Sequence, residues 1–126
     1  MIGISVASVI ELHKVMAKET GGDGGLRDEA LLDSAVNSAY QTFCGKELYP
    51  TVEEKAARVG FSLISNHPFV DGNKRIGMYV MLILLEVNGV IINPDQKEVV
   101  RVGLSLASSE MTYSDLISWI DCNKNS

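Results

Sequence analysis

Residues 73–87 read NKRIGMYVMLILLEV and contain the longest apolar run of the chain, from Ile76 to Leu85. A helix at the surface keeps a polar face, whereas this run is apolar all round, which indicates a helix buried on every side. Asn88 and Gly89 are residue types that commonly end a helix. The run is shorter than the roughly 17–25 residues that a bilayer-spanning helix needs. The pattern therefore predicts a central buried helix around which the rest of the chain packs.

The segments on either side of this helix also show helical periodicity, with apolar residues three and four positions apart. The candidate N-caps are Ser5 or Ser8 (Ser8 with Glu11 fits a capping box), Asp28, Thr51 with Glu54, Asn93 followed by Pro94, and Ser114. The expected core positions are Val9, Leu12, Val15, Met16, Leu32, Ala35, Val36, Ala39, Ala56, Val59, Gly60, Leu63, Ile64, Val99, Val102, Leu104, Leu106, Leu116, Ile117, Trp119 and Ile120.

Glycine and proline divide these helices. The glycines within 21–25 end the first helix, Gly45 ends the second, and His67 before Pro68 ends the third. Residues 46–50 form a connector that can hold a small hairpin or flap. Sustained alternation typical of a sheet is missing from the sequence. The fold class is therefore all-α, a bundle of about six helices around the central one, with a small β-hairpin flap.

The composition indicates a folded cytoplasmic protein. The chain has 126 residues, 46% hydrophobic and 21% charged, which fits one globular domain over residues 1–126 and excludes disorder. A net charge of -5 disfavours direct binding to nucleic acid or to an anionic membrane, and it suits a basic protein partner. Met1 is not followed by a secretory leader. We expect Cys44 and Cys122 to be free thiols in a reducing compartment.

The segment HPFVDGNKR, residues 67–75, places chemically useful groups at the mouth of the central helix. The first turn of a helix has unpaired N–H groups and a partial positive charge, and Lys74 and Arg75 add two cations there. This combination predicts an anion site, with phosphate as the natural anion. Asp71 is a plausible ligand for Mg²⁺ held against phosphates. His67 suits a general base near neutral pH.

Each of these residues alone has a more ordinary interpretation. A lone histidine at a helix end is more often a cap or surface residue, and a Lys-Arg pair is usually a solvated face. Asp71 before Gly72 is common in turns, and Phe69 can simply anchor the loop in the core. His13 is interpreted as a structural residue of the first helix. The functional prediction therefore depends on all of these parts converging within nine residues of the sequence.

The same segment resembles the signature of the Fic/Doc superfamily, and specifically its death-on-curing branch. The resemblance extends over most of the chain, from about residue 5 to residue 90. Outside the signature it is carried by residues 21–28, by Leu31-Leu32 and Ser34-Ala35, by residues 47–51 and 54–57, and by Asn88-Gly89. It implies a helical Fic/Doc domain that uses ATP and Mg²⁺ to modify a hydroxyl side chain of a target protein.

The resemblance also implies a role for each matching residue. His67 would activate the target hydroxyl, and Asp71 would hold Mg²⁺. The residues implied to bind the nucleotide are Phe69, Gly72, Asn73, Lys74 and Arg75, with Arg75 also stabilising transferred charge. Glu47, Leu48 and Tyr49 would form a flap that docks the target as an added strand.

Two departures from AMP-transferring Fic enzymes concern the reaction. Lys74 replaces the second glycine of their anion hole, and Met78 replaces their second arginine, which removes a phosphate fork. Death-on-curing toxins share both changes and phosphorylate elongation factor Tu, so phosphoryl transfer is favoured. Pro68 and Gly72 instead resemble the AMP-transferring pattern, which keeps AMP transfer as the alternative.

Regulation is predicted to come from a separate protein. The inhibitory motif of many Fic proteins, Ser/Thr-x-x-x-Glu-Gly/Asn, is missing from this sequence. The resemblance to the death-on-curing branch implies an antitoxin that acts in trans. A binding module that holds a nucleotide and an antitoxin without catalysis is the rival of another class, although simple binding would not require His67. A helix-turn-helix DNA-binding protein is disfavoured by the acidic charge.

Overall fold

The computed structural model describes residues 1–124, and it confirms the predicted all-α class with one small hairpin. The helices are α1 Val6–Thr20, α2 Glu29–Asn37, α3 Val52–Asn66, α4 Asn73–Val87, α5 Gln96–Ala107 and α6 Tyr113–Asn123. A short 3-10 helix, Ser38–Tyr40, leads from α2 into the hairpin of β1 Thr42–Phe43 and β2 Lys46–Glu47, which pair antiparallel. Within this part of the chain, no helix combines the length and the apolarity that crossing a bilayer demands.

Helix α4 is the central element, with the bounds that its sequence predicts. Ile76, Val80, Met81 and Leu85 on this helix are fully buried. The same hydrophobic core contains residues of every other helix: Val9, Leu32, Leu63, Val102, Leu116 and Ile120 are also fully buried. The bundle covers most of this run, as an apolar surface favours. Burial on every side is not reached, because Tyr79, Leu82 and Ile83 are only half-buried.

Helices α3 and α4 touch through their backbones at two glycines. A Cβ atom added to Gly60 would lie 2.9 Å from the carbonyl oxygen of Gly77, and one added to Gly77 would lie 2.6 Å from Cγ1 of Ile64. Neither helix can accept a methyl group there without moving. This contact brings the end of α3 and the start of α4 together on either side of the loop 67–72.

Two helix caps differ from the sequence prediction, and an alternative left open for α1 is decided. Of its two candidates Ser5 is the cap and accepts from the N–H of Ser8, so Ser8 is inside the helix. Asp95 caps α5 in place of Asn93-Pro94, and Thr112 caps α6 in place of Ser114. In each helix the residue that caps is the one whose side-chain oxygen reaches the N–H three positions on. The predicted capping box of Thr51 and Glu54 is confirmed.

Other differences concern burial and the second helix. Val15 and Leu104, both predicted to be in the core, are 57% and 53% exposed. The buried face of α1 instead includes His13, because this face packs against the loop 67–72, where Nε2 of His13 bonds the backbone carbonyl of Asp71. Helix α2 ends at Asn37, and Gly45 instead lies in the turn of the hairpin with a positive φ of 77°. Cys44 and Cys122 are free and exposed.

Helices α5 and α6 are joined by the carboxylate of Glu98. It accepts a hydrogen bond from Nε1 of Trp119 at 3.0 Å and two from the guanidinium of Arg101, at 2.6 and 3.0 Å. These bonds, that of Arg101 first and that of Trp119 second, lower the pKa of Glu98 to about 2. The charged form of Glu98 is therefore favoured in the folded protein.

We predict that Gly77→Ala destabilises the protein, although alanine normally favours a helix by about 1 kcal/mol over glycine. The added methyl group overlaps Ile64 and the backbone of α3, so the free energy of unfolding should fall by about 1–3 kcal/mol in urea denaturation. Gly103→Ala is the matched control, because its Cβ would meet neighbours at ordinary distances of 3.4–3.7 Å. Equal stability of Gly77→Ala and the wild type would contradict this packing.

A second prediction concerns acid stability. Because the folded-state pKa of Glu98 lies below its ordinary value of 4.5, the carboxylate stabilises the fold above that pH, and the contribution is lost as pH falls toward about 2. In Glu98→Gln the free energy of unfolding should depend less steeply on pH over this interval. The difference in slope should correspond to the uptake of at most about one proton on unfolding. Fluorescence of Trp119, the single tryptophan, follows unfolding.

Glu110→Gln serves as the control for this acid-stability experiment, since Glu110 is exposed and its carboxylate has no ion pair within residues 1–124. An identical pH dependence in wild type and Glu98→Gln would show that the Glu98 contacts do not form in solution.

Candidate active site

A cavity of about 550 Å³ lies at the N-terminus of α4. Its volume is within the range of roughly 300–1,000 Å³ typical of small-molecule sites. Six of the predicted site residues line it, namely His67, Asp71, Gly72, Asn73, Lys74 and Arg75. The remaining walls come from the end of α1 (Thr20, Gly21 and Gly22), from Val70, from Met78 and Tyr79 on α4, and from Gln96, Val99, Val100, Gly103 and Leu104 on α5.

The loop 67–72 follows a path with a left-handed residue at each end. His67 caps the C-terminus of α3 with φ 52° and ψ 52°, and Gly72 caps the N-terminus of α4 with φ 79°. Between them, the amide side chain of Asn73 bonds both the N–H and the C=O of Phe69, each at 3.0 Å. The loop is therefore fixed by hydrogen bonds to its own backbone as well as by packing.

His13 of α1 supports the loop from the core side. Its ring stacks on Phe69 with centroids 3.7 Å apart, and its Nε2 bonds the backbone carbonyl of Asp71 at 2.6 Å. Because that carbonyl can only accept, Nε2 is the donor in this bond. Nδ1 is buried and has no hydrogen-bond partner within residues 1–124. His13 is thus a structural residue, as its sequence position suggests, and its partner is the loop.

The imidazole of His67 is oriented by its own helix. Its Nδ1 lies 3.2 Å from the carbonyl oxygen of Ile64, one turn back on α3. Since the carbonyl can only accept, Nδ1 donates in this contact, and Nε2 is the ring nitrogen without a hydrogen-bond partner in residues 1–124. The residue is exposed and lines the cavity, so this nitrogen can take a proton from a bound molecule.

The opposite side of the cavity is positive. Gly72 has no side chain to cap α4, so the N–H groups of the first turn, at Asn73, Lys74 and Arg75, have no partner within the helix. The side chains of Lys74 and Arg75 are exposed, and neither forms an ion pair with another residue among the first 124. Free N–H groups, a helix N-terminus and two cations together favour binding of a phosphate.

Asp71 can contribute one ligand to a metal ion but cannot hold one alone. It is exposed to the cavity, and its Oδ1 accepts from the N–H of Gly72 at 2.8 Å, which leaves Oδ2 free. Within residues 1–124 there is no cluster of three or more acidic, histidine or cysteine side chains that could bind a metal. Mg²⁺ is often held by one or two carboxylates together with phosphate oxygens. The site therefore fits Mg²⁺ only when a bound phosphate supplies further ligands.

Two of the predicted nucleotide-binding residues have side chains that support the loop. Phe69 is 1% exposed and does not line the cavity, so its ring anchors the loop, and nucleotide binding by this residue stays a prediction of the sequence resemblance. Both polar atoms of the Asn73 side chain, Oδ1 and Nδ2, are engaged in hydrogen bonds to the backbone of Phe69. Only the backbone N–H of Asn73 remains for an anion.

The predicted docking flap lies away from the cavity. Glu47 forms an ion pair with Lys55 at 2.8 Å, and Lys55 also donates to the carbonyl of Tyr49. These contacts anchor the flap near the start of α3, whereas His67 caps the other end, about 18 Å along the helix. Glu47, Leu48 and Tyr49 do not line the cavity. Docking of a target at this flap stays a prediction of the sequence resemblance.

The sequence did not indicate the walls formed by α1 and α5. In the sequence, the glycines after Thr20 indicated only a loop. In the structure they pass close to Asp71, since a Cβ atom added to Gly22 would lie 3.0 Å from Oδ2 of Asp71. Helix α5 passes the first turn of α4 at Gly103, where a Cβ would lie 3.7 Å from that of Lys74. One signal in the sequence pointed to this arrangement: His13 occupies a core position of α1, and a buried histidine needs a polar partner.

Comparison with known proteins agrees with this geometry. A model described as the Fic/DOC family matches residues 3–85, which is well over half of the chain. The matched range includes the end of α3, the loop 67–72 and the start of α4. The chain belongs to the Fic/DOC family. It is also 41% identical, over 75 residues, to Toxin Doc of Mycolicibacterium smegmatis (strain ATCC 700084 / mc(2)155). That match covers 60% of this chain and 58% of the relative, so the chain spans less than two thirds of that protein.

We predict that Asn73→Ala destabilises the protein by about 2 kcal/mol or more, because it leaves the buried N–H and C=O of Phe69 without partners. Thermal or urea denaturation measures this. The matched control is Asn37→Ala, an exposed asparagine that bonds only Asp33 on its own helix, for which a change of less than about 0.5 kcal/mol is expected. Equal effects of the two substitutions would exclude the proposed role of the Asn73 amide in fixing the loop.

Proposed function

We propose that residues 1–126 form a single Fic/Doc domain, a toxin of the Doc type that acts in the cytoplasm and uses Mg²⁺-ATP to modify a hydroxyl side chain of a target protein. The favoured reaction is phosphorylation of elongation factor Tu, which would arrest translation. One observation supports the proposal: His67, whose Nδ1 contacts the carbonyl of Ile64, lines the same cavity as a helix N-terminus that bears two cations. The printed name of the relative, Toxin Doc, supports the same class.

In the proposed reaction, the residues of the cavity position and stabilise rather than form covalent bonds. Nε2 of His67 takes the proton of the target hydroxyl, whose oxygen attacks the terminal phosphorus of ATP. The bond from that phosphorus to the bridging oxygen breaks, and ADP leaves. The N–H groups of the first turn of α4, with Lys74 and Arg75, hold the phosphate oxygens as charge shifts to the leaving group. Asp71 would hold Mg²⁺ against those oxygens.

Transfer of AMP is the alternative reaction of the same site. It needs the same base and the same anion site, and differs in which phosphorus faces the hydroxyl. Pro68 and Gly72 favour it by sequence, whereas Lys74 and Met78 favour phosphoryl transfer. Lys74 and Met78 both line the cavity, so their side chains can influence how the triphosphate lies.

The partner proposed to control this activity is an antitoxin that binds in trans. The apolar wall of the cavity is left open on α5, where Val100 and Leu104 are 48% and 53% exposed. A helix or extended segment of an antitoxin could cover this wall and block the cavity. Nucleic acid and membrane are not among the proposed partners, given the net charge of -5. A catalytically inactive nucleotide- and antitoxin-binding module remains the rival class.

The intact mass of elongation factor Tu after incubation with the protein and Mg²⁺-ATP tests the function. A gain of one phosphate is expected, and a gain of AMP would instead establish the alternative reaction. His67→Ala should lower the rate by about 100-fold or more, because the general base is lost. Lys74→Ala should also lower it, whereas Lys14→Ala, an exposed lysine paired only with Glu11, should not.

Bacterial growth gives the matching test in cells. Expression of the wild type should arrest growth, and His67→Ala should relieve the arrest. Equal toxicity of the two forms, or a mass gain in neither, would favour the binding module over the enzyme.

A further inference from the structure

Arg27, which lies outside the signature segment, holds three consecutive carbonyl groups at the end of α3. Its Nε donates to the carbonyl of His67 at 2.8 Å, and its Nη2 donates to the carbonyls of His67 and Asn66, the latter at 3.1 Å. Its backbone N–H donates to the carbonyl of Pro68 at 2.8 Å. Within residues 1–124, no carboxylate forms an ion pair with Arg27. The guanidinium is therefore committed to the backbone around His67.

The backbone of His67 requires such support. A left-handed conformation is strained for a residue with a Cβ atom, and His67 adopts it with φ 52°. His67 also precedes a proline, which further restricts its backbone. Strained conformations of this kind persist only where the surroundings hold them in place. A cation that bonds the last carbonyls of a helix also offsets the partial negative charge there.

Arg27 is itself fixed, because its segment pairs with the loop like a short strand. Leu26 forms an antiparallel bridge with Phe69, and the N–H of Val70 donates to the carbonyl of Gly25 at 3.0 Å. On the other side of Arg27, the N–H of Asp28 donates to the carbonyl of Pro68 at 2.9 Å. Arg27 does not line the cavity, so its bonds act on the backbone of His67 and not on a bound molecule.

We propose that Arg27 is a positioning residue that holds His67 in its left-handed conformation and so keeps the imidazole facing the cavity. Without the guanidinium, the carbonyls of Asn66 and His67 lose their partner, and the His67 backbone can relax toward the extended region. The imidazole then moves away from the phosphate site, although the first turn of α4 is unchanged. This inference rests on the proposed function in so far as it assigns His67 the role of base.

Steady-state kinetics of the transfer reaction test the effect on catalysis. Arg27→Ala should lower kcat by about 100-fold, as expected for a misplaced catalytic group, and should leave the KM for Mg²⁺-ATP within about threefold. Methylguanidinium added at concentrations far below those that unfold proteins should restore part of the kcat of Arg27→Ala and none of that of His67→Ala. Arg27→Lys, which can bond only part of the carbonyl set, should fall between wild type and Arg27→Ala.

The control is Arg101→Ala, which removes an arginine that bonds the carboxylate of Glu98 on the surface of α5 and should leave kcat unchanged. The folded fraction of each variant is measured by Trp119 fluorescence at the assay temperature. A kcat of Arg27→Ala within about twofold of wild type would overturn the proposal. So would a loss of kcat no larger than the loss of folded protein, or a failure of methylguanidinium to restore any activity.

A measurement that needs no activity separates this proposal from the proposed function. The ¹³Cα and ¹³Cβ chemical shifts of His67 report its backbone conformation. They should indicate a left-handed residue in the wild type and move toward extended values in Arg27→Ala, with unchanged shifts in Arg101→Ala. If the protein transfers nothing to elongation factor Tu, the proposed function is wrong, whereas the shift of the His67 signals can still support the positioning role of Arg27. Unchanged His67 shifts in Arg27→Ala would overturn the positioning role even in an active enzyme.

Discussion

The close contact of α3 with α4 is the constraint on which the candidate site depends. Because Gly60 and Gly77 have no side chains, the two helices approach until a methyl group no longer fits between them. The loop 67–72 then has only a short distance to cross, and the C-terminus of α3 faces the same cavity as the N-terminus of α4. Packing in the core therefore brings His67, at one helix end, and the first turn of α4, at the other, to the same cavity.

The loop itself is held by residues that never touch the cavity as well as by residues that line it. Phe69 fills the core against His13, the amide of Asn73 satisfies the backbone of Phe69, and Arg27 occupies the carbonyls around His67. Groups with free donors or acceptors, namely Nε2 of His67, Oδ2 of Asp71 and the first N–H groups of α4, are then left on the cavity side. This division between supporting and open groups is what a preorganised site requires, since groups fixed in advance need no rearrangement when a ligand binds.

The bounds and the central position of α4 could be predicted, because an apolar run flanked by residues that start and end helices has few other solutions. Predictions failed where two local signals competed. Asn93-Pro94 and Ser114 are plausible caps, but Asp95 and Thr112 lie where their oxygens meet the N–H three residues on. Likewise, the spacing of Val15 and Leu104 fits a core stripe, yet each lies at the edge of its stripe, and only the packing of neighbouring helices determines which edge is covered.

The amino-acid sequence by itself determined the fold class, the central helix and the family signature at residues 67–75, because periodicity and a signature are local properties of the chain. Only the tertiary structure decided that Phe69 and the side chain of Asn73 support the loop, that α5 walls the cavity, and that the flap of Glu47, Leu48 and Tyr49 is anchored at the far end of α3. It also decided that Arg27, forty residues before His67, bonds the carbonyl of that residue. Such contacts join residues distant in the chain, and no local pattern encodes which of them will meet.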